Sequence, residues 1–546
     1  MPASKHMDRL TAVDAAFLAQ EREGAHMHVG AVLTFDGPAP PHDDVREHIE
    51  ARLHLVPRYR QKLAFPRLEM GRPLWVDDPR FNIDYHLRRS ALPPPGSMEQ
   101  LRALAARIFS QRLDRSKPLW EIWMVEGLND GRFALINKTH HCLVDGISGV
   151  DITTVLFDVD KTPAETPPPE TQWLPSPEPT DVDVVAEGIK DAVTAPLEIA
   201  GRALRAARDP GHALDQLRER AEGIGEILWG AVARAPETPL NAPNGPHRRL
   251  AWVRMPLDDL KGIKNELGGT VNDVFLTIVS GALRRWLASR GVPTEGLELR
   301  GAVPVSTRAK DEHGQLGNQI TIMVGKLPVY AEDPLERLEI VRESMAHLKE
   351  SKQAVGAESI ARAQDFAPPT IFAQASRLNF SPRIYNLLVT NVPGPQFPLY
   401  LQGKELREFI PVAFLAQDQA LAVAIISYNG NVVIGLMGDY DAMPDLDAFA
   451  ADIEASTEEL RQAAGLVPGR KPASGRRSKA RAAGNGAQAR AGTKARPGGK
   501  RRSASERAKA RSAASRSKGA ISSVTRTPSQ GAGGGGAEAG GERDGD

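Results

Sequence analysis

Cysteine is almost absent: Cys142 is the only one in 546 residues. An internal disulfide framework is thereby excluded, and a single free thiol fits a reducing compartment. Long apolar runs are missing too. The best, Leu421 to Tyr428, is strand-sized, whereas a membrane-spanning helix needs about 18–20 apolar residues. The opening stretch from Met1 to Phe17 carries Asp8, Arg9 and Asp14 where a signal peptide has a continuous apolar core, so no export signal is expected. Aromatic residues make up 5% of the chain, and none interleave the basic residues of its last stretch, which argues against stacking on nucleic-acid bases. The simplest home for such a chain is the cytoplasmic side of a membrane.

What is present is the composition of a soluble globular protein, 41% hydrophobic and 25% charged, long enough for two domains with accessories. The net charge of +1 hides an uneven distribution. From Arg470 onward there are 19 basic and 5 acidic residues, which leaves 50 basic against 63 acidic for the body. That last stretch is Ala, Gly, Ser, Lys and Arg with hardly a large apolar side chain, so it is expected to be disordered. It is either a solvated tail or a segment that touches acidic lipid or nucleic acid.

Periodicity predicts alternating helices and strands in the first part of the chain. A short helix is expected over residues 8–20, a strand from His28 to Phe35, helices at 42–56 and from Leu101 to Arg112, and an extended run from Trp75 to Leu87. Pro118 to Val125 and Arg132 to Asn137 read as an antiparallel pair joined at Asn129-Asp130-Gly131. Clustered prolines from Thr162 to Pro179 mark a linker. Helical patterns from Asp181 to Ala235 either pack on the body or lie on a membrane surface. A second αβ half begins at Arg249, with helices at Val271–Leu287, Pro334–Lys352 and Ser359–Leu378, and strands at Leu299–Val305 and Ile320–Leu327. The late strands, Asn386–Thr390, Val412–Leu415, Ala420–Tyr428 and Val432–Met437, are expected to form a meander, followed by a helix ending near Gly465. The expected divisions are 1–160, 161–248, 249–468 and 469–546.

The chemistry centres on His140-His141-Cys142-Leu143-Val144-Asp145-Gly146, where the strand ends. Adjacent imidazoles on a strand project oppositely, so at most one faces a cleft and the other braces the backbone. A zinc site lacks any HExxH or cysteine pair. A thiol nucleophile at Cys142 would need an adjacent base and an electropositive pocket, and packing is the simpler role. Two histidines that merely cap a strand are the bland alternative. Base catalysis uses the pattern more fully, since a neutral imidazole can take the proton of a hydroxyl as it attacks a thioester. No GxSxG elbow lies near the histidines, which favours direct attack over an acyl-enzyme. Asp145 would hold the turn by pairing with an arginine, and Gly146 supplies backbone freedom there.

Further stretches accompany the motif: Met27-His28-Val29-Gly30, Pro118-Leu119-Trp120, Asn272-Asp273, Val303-Pro304-Val305-Ser306-Thr307-Arg308, Gly317-Asn318 and Asn391-Val392-Pro393-Gly394-Pro395. Together they resemble the bacterial wax ester synthase/acyl-CoA:diacylglycerol acyltransferase family over nearly all of residues 8–465. The resemblance implies an α/β (α+β) fold of two chloramphenicol acetyltransferase-like sandwich halves with the active site in a channel between them. It implies His141 as general base, with His140, Asp145, Gly146, Asn272 and Asp273 in support, and Pro118, Leu119 and Trp120 as an acyl-binding segment. Arg308 is expected to partner Asp145. Acyl-CoA would be a co-substrate, with no metal and no resident cofactor. The acceptor would be diacylglycerol or a long-chain alcohol, giving triacylglycerol or wax ester. Such products imply peripheral attachment to the inner face of the membrane or to lipid bodies; a nucleic-acid partner is not expected. The alternatives are acyl transfer to a non-lipid alcohol or amine, and a non-catalytic lipid or nucleic-acid binder.

Overall fold

The strand that leads into the histidines, β7 (Phe133–His140), runs through the middle of a six-stranded sheet. The computed structural model describes residues 8–66, 72–143, 157–163, 166–168, 171–177, 180, 234–306, 320–350 and 383–466. All of these belong to one compact unit, Met1–Ala473; the other unit, Ser474–Asp546, lies outside the described residues.

On one side β7 pairs antiparallel with β2 (His28–Phe35), in a register that sets His28 opposite His140. On the other it pairs with β6 (Trp120–Glu126), with Trp120 opposite Thr139. This is the hairpin expected from Asn129-Asp130-Gly131, and it leaves His141 at the end away from that turn. β5 (Leu87–Ala91) lies parallel to β6 and closes that edge. Helices α1 (Ala12–Gln20), α2 (His42–Arg52) and α4 (Met98–Ser110) belong to this half. α4 starts at a Ser97–Gln100 capping box, in which each side chain satisfies the other residue's backbone N–H. A small sheet, β1 (Asp8–Arg9), β4 (Leu74–Asp77) and β3 (Gln61–Ala64), sits beside it.

The second six-stranded sheet has the order β10 (Ile320–Leu327), β9 (Leu299–Ser306), β11 (Leu387–Pro393), β14 (Leu421–Tyr428), β15 (Asn431–Asp439) and β8 (Arg248–Pro256). Its two faces do different work, as the period of β14 shows. Leu421, Val423 and Ile425 join the core beneath helices α5 (Leu257–Leu267), α6 (Val271–Ser289) and α8 (Leu446–Ala463). Ala422, Ala424 and Ile426 join the core that contains the first sheet. Burial of each large side chain contributes roughly 1.5–3 kcal/mol. The small residues on the other face leave room for a close approach. α7 (Pro334–Glu350) packs against α6 and β10.

Two expectations are corrected. The late strands are not a meander. β13 (Lys404–Val412), preceded by the short β12 (Tyr400–Leu401), leaves the second sheet and adds antiparallel to β2 in the first. It still packs across the second: a Cβ on Gly435 would lie 1.9 Å from the Pro411 carbonyl oxygen. Val412 ends this strand, so no separate strand runs from Val412 to Leu415. Nor is Trp75 to Leu87 one extended run. The chain turns after β4, and Asn82 caps the one-turn helix α3 (Ile83–His86) by accepting from Asp84 N at 3.0 Å. An Asx cap offers the backbone an alternative to the ladder.

The described parts of the proline-rich stretch have no regular structure but are anchored to the first half. Arg52, which pairs with buried Asp158 just before the stretch, donates from Nε to Thr166 Oγ1 at 3.0 Å. Trp173 lies edge-on to Phe81 and under the Arg60 guanidinium.

Candidate active site

The end of β7 is held from both sides. His140 N donates to Leu119 O at 3.0 Å and His141 N to Met27 O at 2.8 Å, so the first residue past the strand has a fixed backbone. The half-buried His141 ring stacks on Phe17 of α1, with centroids 3.9 Å apart and planes 23° from parallel. Phe414, just past β13, presents its edge at 5.6 Å and 88°. Residues nearly 400 positions apart in the chain thus flank one imidazole. Burial between these rings disfavours the cation and pushes the His141 pKa down to about 4. Its own backbone carbonyl opposes that shift, though no partner reaches hydrogen-bond geometry at Nδ1 among the described residues. At neutral pH this ring is uncharged and able to accept a proton.

His140 projects the other way and is 1% exposed. The Cys142 backbone N–H donates to its Nδ1 at 3.2 Å, which leaves the proton on Nε2. Burial drives its pKa well below the ordinary imidazole value. Cys142 is buried as well, and burial raises its thiol far above the usual range. A thiolate is therefore disfavoured, and Cys142 packs in the core.

Asn272 and Asp273 open α6. Asp273 Oδ2 accepts from Thr270 N at 2.8 Å while Thr270 Oγ1 accepts from Asp273 N at 3.2 Å, a reciprocal cap on a 19-residue helix. Asp273 Oδ1 is buried with no partner among the described residues. Asn272 Oδ1 instead accepts from Asn391 Nδ2 of β11 at 3.3 Å, which ties the helix start to the Asn391-Val392-Pro393 stretch. Pro118, Leu119 and Trp120 are all buried. Trp120 donates to Tyr59 O at 2.8 Å and stacks on His86 at 4.5 Å. What this segment gives the site is the Leu119 carbonyl that receives His140 N–H. Asp145, Gly146 and Arg308 lie outside the described residues. Among the described residues, no group of three His, Cys, Asp or Glu side chains is placed to hold a metal ion.

A family model for the wax ester synthase/diacylglycerol acyltransferase catalytic domain matches residues 10–275, and one for the WS/DGAT C-terminal domain matches 316–461. The chain belongs to this family. A Mycobacterium tuberculosis (strain H37Rv) protein named "Probable diacyglycerol O-acyltransferase tgs1" is 32% identical over 463 residues, covering 83% of this chain and 96% of the relative. A second from the same organism, named "tgs2", is 32% identical over 84% of this chain and all of its own length. The solved wax ester synthase/diacylglycerol acyltransferase from Marinobacter aquaeolei VT8 superposes with a TM-score of 0.58 at 27% identity, covering 84% of this chain and 100% of that one. The first condensation domain of the calcium-dependent antibiotic synthetase shares the fold, at a TM-score of 0.56 and 16% identity over 84% of this chain and 97% of that one.

Around the histidines of this wax ester synthase/diacylglycerol acyltransferase family member, several contributors had no signal in the sequence. Phe17 reads as one apolar position of a helix, and Phe414 as part of a strand. Glu21 has no motif at all, yet its side chain is 2% exposed and lies against His28, His140 and Arg115. Only a signal linking residues roughly 120 to 270 positions apart could have grouped them with the histidines.

Proposed function

We propose that this chain transfers the acyl group of acyl-CoA to the hydroxyl of diacylglycerol or a long-chain alcohol, with His141 as general base. The observation that carries the reading is the His141 ring itself, neutral, fixed at the end of β7 and walled by two phenyl rings. The acceptor hydroxyl hydrogen-bonds to the imidazole, which takes its proton as the oxygen forms a bond to the thioester carbonyl carbon. The tetrahedral intermediate collapses, the C–S bond breaks, and the imidazolium returns the proton to the leaving thiolate. The products are an ester and free CoA, and the ring regains its starting state.

An apolar enclosure suits this chemistry in two ways. It keeps the imidazole uncharged and so able to accept the hydroxyl proton, and it accepts an alkyl chain beside the reacting atoms. In the same reading His140 braces the turn, the Asn272–Asn391 contact orients the start of α6 beside the substrate, and Asp145 pairs with Arg308. No helix among the described residues is long and apolar enough to cross a membrane. Lipid acceptors nonetheless require contact with a lipid surface, and the basic stretch after Arg470 offers charge complementary to anionic headgroups.

The test is product formation by the purified full chain. Palmitoyl-CoA is supplied with dioleoylglycerol in one reaction and hexadecanol in another, and esters are resolved chromatographically. Triacylglycerol or wax ester is expected; absence of both, with acyl transfer to a small polar alcohol or amine and release of free CoA, would sink the lipid reading.

A further inference from the structure

The face of β7 opposite His141 carries a row of buried charge. Lys138, fully buried, donates to Ile108 O at 2.9 Å and Gln111 O at 3.0 Å and pairs with Glu121. It thereby fixes the end of α4 and the start of the loop that follows. Two residues on, His140 meets the other product of that loop. Arg115 Nε donates to Glu21 Oε2 at 2.9 Å, Arg112 Nη2 donates to the same oxygen at 3.2 Å, and Arg115 also donates to Leu18 O at 3.2 Å. His28 Nε2 stands 3.4 Å from Glu21 Oε1, and His140 Nε2 stands 3.8 Å from Oε2. Burial alone would raise the Glu21 carboxyl, but His28, His140 and Arg115 outweigh it and hold it well below the usual carboxylate range. An ionised carboxylate is therefore buried directly behind the motif.

The position of that charge matters because His140 has two ways to carry its proton. A backbone N–H can only donate, so the 3.2 Å contact from Cys142 N requires a bare Nδ1 and a protonated Nε2. Nε2 is buried and has no hydrogen-bond partner among the described residues. A negative charge facing that N–H favours the tautomer; without it, the proton is free to move to Nδ1 and abolish the Cys142 contact. The turn concerned begins at His141.

We propose that Glu21 is a positioning residue of the acyl transfer: its carboxylate, held by Arg115, keeps His140 in the Nε2–H tautomer, so that the turn from His140 to Cys142 presents His141 to the acceptor. Glu21 does not touch substrate. It acts through His140, and the inference rests on the reading of His141 as base. Placement errors of about 1 Å at a reacting group cost on the order of 100-fold in rate, so loss of the tautomer is expected to lower kcat and leave the KM for acyl-CoA nearly unchanged.

The experiment compares Glu21→Gln, the double variant Glu21→Gln/Arg115→Gln, and His141→Gln in the full chain. His141→Gln reports on the base independently: near-normal activity there refutes the underlying reading, whatever Glu21 does. With His141→Gln inactive, the expected result is that Glu21→Gln loses fivefold or more in kcat with KM within twofold, and that the double variant stays equally low. A smaller loss in Glu21→Gln overturns the proposal. So does recovery of kcat in the double variant, which would mean that Glu21 serves only to neutralise Arg115. Should Glu21→Gln not fold, the tautomer is read in the wild-type protein from imidazole 15N shifts, with His140 assigned by its loss in His140→Gln. A protonated Nε2 and bare Nδ1 support the proposal; the opposite tautomer overturns it.

Discussion

Acid titrates the proposed base, and the structure places that titration well below the ordinary histidine range. With a pKa of about 4, His141 is about 97% neutral at pH 5.5, whereas an ordinary histidine near 6.5 would be only about 9% neutral. The account therefore predicts that kcat/KM at pH 5.5 stays close to its value at pH 7.5. An unshifted base would lose about tenfold. Stability moves separately and must be controlled. His141 and His86 both have folded values lowered to about 4 by burial, below the value of 6.5 in the unfolded chain. The unfolded state thus binds more protons between pH 6.5 and 4, and stability is fully present above about 6.5 and lost as pH falls toward 4. That loss is about 1 kcal/mol per histidine at pH 5.5. The assay is an initial rate after a rapid jump from pH 7.5, before unfolding intervenes, with palmitoyl-CoA and dioleoylglycerol. A tenfold fall centred near pH 6.5 in protein that remains folded would refute the claim that Phe17 and Phe414 desolvate the base.

Other outcomes follow from particular contacts. Phe17→Ala, which removes the stacked ring at 3.9 Å, should admit water and move the acid limb of the same profile upward toward 6.5; an unchanged limb contradicts the desolvation argument. Cys142→Ala should keep activity within threefold in a steady-state assay, since the thiol is buried and protonated; a hundredfold loss would reinstate a thiol nucleophile. Gly435→Ala would put a Cβ 1.9 Å from a backbone oxygen of β13, so urea unfolding should show destabilisation of about 1–3 kcal/mol. Thr270→Ala removes the hydroxyl half of the α6 cap and should cost about 1 kcal/mol in the same measurement.

The sequence was legible where the signal is local. β7 and its hairpin, α6 and the pair β14–β15 emerge near their expected bounds because each is a strong period closed by a turn or a cap. The two histidines meet different neighbours, His140 facing Glu21 and His141 facing Phe17 and Phe414, although only His140 lies in the strand. Partner choice was not legible. No strand was expected over Lys404–Val412, where Lys404, Glu405, Arg407 and Glu408 interrupt the apolar positions, and the open edge of β2 lies some 370 positions away in the chain. For the same reason Phe414 could not be placed against His141, nor Glu21 against Arg115. The short α3 was hidden because one asparagine cap outweighs a stretch of strand-forming residues. Asp145, Gly146 and Arg308 lie outside the described residues, so the supporting parts of Asp145 and Gly146 stay as the resemblance implies them and the Arg308–Asp145 pair stays an expectation of its own.

The central claim is that one imidazole performs the chemistry, and His141→Ala tests it most directly. The variant keeps its backbone bond from position 141 to Met27 O and is expected to retain the wild-type circular dichroism spectrum. General-base catalysis contributes about 10²–10⁴-fold, so ester formation from palmitoyl-CoA and dioleoylglycerol should fall by at least a hundredfold. A folded His141→Ala protein with activity within tenfold of wild type would contradict the account.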